Sequence, residues 1–160
     1  MVIEELFKSI KWFSPQENWG NVEKVSPELI TALDIFRSAH GKPVHISPVD
    51  GAVYADNQGH LSNSWHYIIE GRNTHSMAAD IFPEESLIKA WLLAIKMARF
   101  GGVGLYPFAA WQQPKKNLLG MLHLDIRPYS SKVLWWRDVS GTYHYLNDEN
   151  DINAVASTMA

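Results

Sequence analysis

The chain has 160 residues, 46% of them apolar and 19% charged, which fits one globular domain and excludes disordered, collagen-like and coiled-coil classes. Its formal charge of −3 argues against a nucleic-acid module driven by counterion release. Cysteine is absent, so neither a disulfide framework nor a thiolate zinc site is available, and any metal must sit on His, Asp or Glu.

In chain order, residues 1–13 carry Glu4 and Glu5 where a secretory signal would be basic, and no signal peptide is expected. No stretch approaches ~18 uninterrupted apolar residues, so no membrane span is expected. Cytoplasmic synthesis follows, with release at host lysis or packaging into a virion as routes out. Ser26-Pro27-Glu28 predicts a helix start, and Leu29, Leu33 and Phe36 then fall on one face. Gly41 and Pro43 end that helix near residue 40. Val44-His45-Ile46 reads as a strand and residues 48–63 as loop. Residues 78–82 read as a strand stopped by Pro83. A second helix is expected over 84–100, with Leu87, Trp91, Ala94, Ile95 and Ala98 on its apolar face. Strands are expected at 103–106, 121–127 and 133–137, with a loop at 107–118. The reading is one domain over 1–146 and a polar, fraying tail over 147–160. Helices flanking loop-connected strands predict an α+β fold with a central, mostly antiparallel sheet.

Polar residues converge in two places. In a strand, His123, Asp125 and Arg127 share one face while Leu122, Leu124 and Ile126 take the other. That face is either a cleft floor or a solvated outer surface. Asp80 ends an otherwise apolar strand, and its carboxylate needs a partner. A metal held by two His and one Asp would supply one; a surface Asp capping the following helix is the plain alternative.

Several motifs then recur in order. Lys11-Trp12-Phe13-Ser14-Pro15-Gln16-Glu17 and Leu33-Asp34-Ile35-Phe36-Arg37 come first, with Gly41-Lys42-Pro43-Val44 leading into a strand. Ser64-Trp65-His66, Ala78-Ala79-Asp80-Ile81, Gly102-Val103-Gly104-Leu105-Tyr106-Pro107 and His123-Leu124-Asp125-Ile126-Arg127 follow. This series resembles the zinc D-Ala-D-Ala carboxypeptidase family of murein peptidases. That fold is shared by vancomycin-resistance dipeptidases and the hedgehog signalling domain. The resemblance implies one zinc ion on His66, Asp80 and His123. His75 is the substitute for His66. If residues 75–80 were continuous strand, the odd spacing would put His75 on the face opposite Asp80.

The chain departs from the family pattern at three points. Asn73 stands seven residues before Asp80, where most members place the first His, so His66 needs a longer connection. Asp50 stands where an Arg often holds the substrate carboxylate, which puts simple carboxypeptidase specificity in doubt. Gly120 stands three residues before His123, where many members keep a Glu as base. Asp125 is then either the base or an acceptor that orients His123, and orientation is the favoured role. Arg127 binds a carboxylate or an oxyanion, or pairs with Asp125. His40, His45, His60 and His144 read as ordinary. Trp65, Trp111, Trp135 and Trp136 are candidates for a sugar–peptide groove; Trp12, Trp19 and Trp91 read as core. Two functions remain open. One is a zinc murein peptidase acting on peptidoglycan peptides. The other is an inactive peptidase-fold structural or binding protein among virion proteins.

Overall fold

The computed structural model describes residues 3–48, 51–53, 63–109, 114–115, 118 and 120–159. The chain order is α1 (Ile3–Phe7), a short 3-10 turn (Val22–Lys24), α2 (Pro27–His40), β1 (Val44–Ile46), β2 (Ala78–Pro83) and α3 (Leu87–Lys96). Then come β3 (Gly102–Tyr106), β4 (Met121–Asp125), β5 (Val133–Arg137), β6 (Tyr143–Leu146) and α4 (Glu149–Thr158). No helix among the described residues is long and apolar enough to cross a membrane.

Helix α2 starts at Pro27, whose missing N–H is no loss in a first turn. Ser26 occupies the N-cap, but its hydroxyl donates to Glu28 Oε2 at 2.6 Å instead of capping. Gly41 closes the helix at φ 73°, a left-handed conformation that glycine adopts without a Cβ penalty, and its N–H reaches Arg37 O. Helix α3 is shorter than the expected 84–100. Strand β2 runs through Pro83, Glu85 turns the chain at φ 72°, and Ser86 caps the helix by accepting from Lys89 N. The helix ends at Lys96, where the Met97 N–H folds back onto Leu93 O and Ala94 O and Lys132 Nζ donates to Ile95 O and Met97 O.

The expected fraying of the tail is corrected over its described residues, 147–159. Asp148 accepts from Asn150 N and Asp151 N, opening α4. Val155 is buried, and Ile152, Ala156 and Met159 pack beside it on the main core. Their three- and four-residue spacing is an apolar stripe hidden in a polar composition.

The six strands form one mixed sheet in the order β1-β2-β4-β3-β5-β6. Every pairing is antiparallel except β3 with β5. The architecture is therefore α+β, as expected. One face, with Ile81, Leu122, Leu124, Val103 and Leu105, packs with Leu29, Ile30, Leu33 and Phe36 of α2 and Ala90, Trp91 and Ala94 of α3 in the main core. Each fully buried large side chain there contributes roughly 1.5–3 kcal/mol. Alternation leaves the opposite face to Asp80, His123, Asp125 and Trp135.

Candidate metal centre

Antiparallel register sets the first two residues of the centre. Asp80 on β2 lies directly opposite His123 on β4, and Ala78 lies opposite Asp125. Strand β4 is buried on both faces, so its polar face is not a solvated outer surface. His66 arrives from the loop before β2. Among the described residues these three, all buried, are the one group of His, Asp or Glu placed to hold a metal ion.

Their donor atoms form a near-regular triangle. His66 Nε2 is 3.1 Å from His123 Nδ1 and 3.4 Å from Asp80 Oδ1, and His123 Nδ1 is 3.0 Å from Asp80 Oδ1. Two donors on a tetrahedral zinc ion with bonds of ~2.0–2.1 Å stand about 3.3 Å apart. The triangle therefore fits such an ion without rearrangement.

The far nitrogen of each imidazole is already engaged. His66 Nδ1 lies 2.9 Å from Ala52 O, which can only accept, so Nδ1 carries a proton and, in the neutral ring, Nε2 offers its lone pair. His123 Nε2 donates to Asp125 Oδ2 at 3.2 Å, which turns Nδ1 toward Asp80. Carbonyl and carboxylate acceptors behind metal-binding histidines fix ring orientation and raise ligand basicity. Asp125 is wholly buried and also accepts from Arg127 Nε at 2.7 Å, Arg127 N at 3.1 Å and Arg127 Nη2.

Charge follows this geometry. Burial works against ionised Asp125, but the Arg127 and His123 hydrogen bonds outweigh it and hold its pKa well below the carboxylate range. Asp80 is likewise penalised by burial and stays ionised through His66 and His123. Burial also opposes a charged His123, yet the bonds to Asp125 and Asp80 push its pKa up to about 9. An arriving metal ion competes with that proton.

The Gly102-Val103-Gly104 stretch has a steric cause. A Cβ at Gly102 would stand 2.2 Å from Asp125 Oδ2, and one at Gly104 would stand 2.4 Å from Trp135 Cε2. The two glycines thus seat the carboxylate behind His123 and the indole beside it. Trp135 lies 5.2 Å from the His123 ring and donates from Nε1 to the Tyr106 hydroxyl.

Other candidates fall elsewhere. His75 lies outside the group, its Nδ1 2.9 Å from Thr74 Oγ1. Asn73 accepts from Ile69 N and Arg72 Nε and donates to Tyr67 O and His75 O, so it organises the loop. Gly120 has φ 87°, and a Cβ there would stand 2.4 Å from Leu87 Cδ2, so a side chain at this position strains the backbone and displaces Leu87. Arg127 lies just past the end of β4 and pairs with Asp125. Trp136, placed above among groove candidates, is corrected: it alternates to the helix-packed face, beside the core, and stacks on His144. Trp12, read as core, is 40% exposed under Lys11. Trp19 and Trp91 are core. His40, His45 and His144 bond to Glu84 O, Glu84 Oε1 and Asp138. Asp50, His60 and Trp111 lie outside the described residues.

Comparison with known proteins adds no assignment: no family model, curated protein or solved structure matches the chain.

Proposed function

We propose that this chain is a zinc-dependent murein peptidase that hydrolyses an amide bond in peptidoglycan peptides. The observation that carries the reading is the His66–Asp80–His123 triangle, with sides of 3.0–3.4 Å and both outer imidazole nitrogens engaged. The resemblance of the Ser-x-His, Ala-x-Asp-Ile, Gly-x-Gly-x-Tyr and His-x-Asp-x-Arg stretches to the zinc D-Ala-D-Ala carboxypeptidase family supports the substrate class and a hedgehog/DD-peptidase fold. A zinc ion at this position supplies Lewis-acid polarisation of a carbonyl and lowers the pKa of water. Asp125 orients His123 and does not serve as base, because both its oxygens are committed to Arg127 and His123. Tyr106, at the end of β3 on the Gly104 face, is held by hydrogen bonds with Trp135 and Tyr143. Burial and the Asp80 charge push its pKa up, so it keeps its proton while it accepts from Trp135.

One observation favours a second reading, an inactive peptidase-fold structural or binding protein such as a virion component. Gly120 carries no acid, and Asp125 is engaged by Arg127 and His123, so the usual place for a base is empty of one. Purified peptidoglycan separates the two readings. A peptidase releases new amino groups and shortened peptides, loses this turnover to a chelator and regains it with zinc. A protein that binds zinc yet leaves every peptidoglycan intact is the second kind.

A further inference from the structure

We propose that Arg72 is the positioning residue for His66, setting where its Nε2 stands against Asp80 and His123. The proposal rests on the metal reading above. Asp80 and His123 sit in paired strands, but His66 sits in a stretch, 63–76, with no helix or strand. Outside the triangle its ring is held through Nδ1 to Ala52 O, and backbone bonds from Tyr67 N to Ser64 O and from Met77 N to Trp65 O hold the loop on either side.

Arg72 adds to this hold. Nη1 donates to Asn63 O at 2.8 Å, and Nη2 donates to Ser64 O at 2.7 Å and Tyr67 O at 2.8 Å. These carbonyls bracket His66 on both sides. Nε donates to Asn73 Oδ1 at 2.8 Å, and the Asn73 amide returns to Tyr67 O at 2.9 Å and His75 O at 2.6 Å. A planar guanidinium carries five N–H donors in a fixed fork, against three on an ammonium with a flexible stem, so it can hold these three carbonyls and the Asn73 oxygen together. Arg72 thus adds side-chain hydrogen bonds to the backbone ones around His66.

The clamp also reaches the second imidazole. The Arg72 guanidinium carbon lies 4.4 Å from the Trp65 ring centroid, and that of Arg127 lies 5.8 Å from the same ring. Arg127 holds Asp125, which holds His123. The supports of the two histidines therefore meet across Trp65, and the spacing of His66 Nε2 and His123 Nδ1 is set from there.

Cobalt(II) is the probe, titrated into the full chain with its visible d–d bands recorded. Arg72→Lys should bind Co(II) roughly 10–100-fold more weakly, with bands shifted in position and intensity from those of the wild type. Asn73→Ala keeps the three carbonyl bonds of Arg72 and should show the same band change with a smaller loss of affinity. It carries the test if Arg72→Lys does not fold. Wild-type affinity and bands in both variants would overturn the proposal. So would a lowered melting temperature with wild-type bands, since that is a purely structural role. Failure of the wild-type protein to bind Co(II) would overturn the metal reading as well, whereas binding that is indifferent to Arg72 overturns this proposal alone.

Discussion

Asp125→Asn is the most informative single change behind the candidate metal centre. The two side chains are nearly identical in shape, so packing against Gly102 is preserved. The amide has one acceptor and one donor edge, whereas Asp125 accepts on both oxygens, from Arg127 Nε and N at Oδ1 and from Arg127 Nη2 and His123 Nε2 at Oδ2. In either orientation a donor faces a donor. Breaking a buried ion pair costs about 3–5 kcal/mol, and about 2–4 kcal/mol here because the Arg127 side chain retains 23% exposure and part of its hydration. At ~2–4 °C per kcal/mol for a domain of this size, the melting temperature should fall by roughly 5–15 °C. Loss of the acceptor behind His123 should weaken metal affinity by roughly 10–100-fold. Competition against a chromogenic chelator and thermal melts with and without EDTA measure both. Wild-type affinity and melting temperature would refute the role given to Asp125.

Three further outcomes follow from the same geometry. In metal-stripped protein, the raised His123 pKa contributes stability that is complete below pH 6.5 and lost as pH rises through about 9. The depressed Asp80 and Asp125 contribute stability present above about pH 4 and lost as pH falls. Denaturant titrations should therefore show a maximum between about pH 4 and 6.5, and a flat profile would contradict the His123 assignment. Apparent zinc affinity should rise about tenfold per pH unit from 6.5 to 9, because ligation displaces one proton; calorimetry in buffers of different ionisation heat counts it. Gly102→Ala, pressed against the Asp125 carboxylate, should cost about 1–3 kcal/mol in chemical denaturation and lower zinc affinity with it.

The parts of this molecule governed by local rules were legible in its sequence. Pro27 and Gly41 bound α2, and strict alternation at 121–125 put His123 and Asp125 on one face. What depends on tertiary partners was not. The parallel β3–β5 pairing joins strands distant in sequence, and strand β6 carries exposed Tyr143, His144 and Tyr145 with no alternation to mark it. Helix α4 hides four apolar residues among Asn, Asp and Ser. At the site, His66, Asp80 and His123 were nameable from motif context, whereas Arg72 and Asn73 were not. Their partners are backbone carbonyls, which leave no trace in residue type. Gly102 and Gly104 were visible as a motif, but their reason, the room needed by Asp125 and Trp135, belongs to the packed structure.

Zinc stoichiometry by native mass spectrometry tests the central claim most directly, measured on the wild-type chain and on His66→Ala, Asp80→Ala, His123→Ala and His75→Ala. The account predicts one zinc ion per wild-type chain, its loss in each of the first three variants and its retention in His75→Ala. A zinc-free wild-type protein after incubation with the metal, or loss of the ion in His75→Ala with retention in His66→Ala, would contradict it.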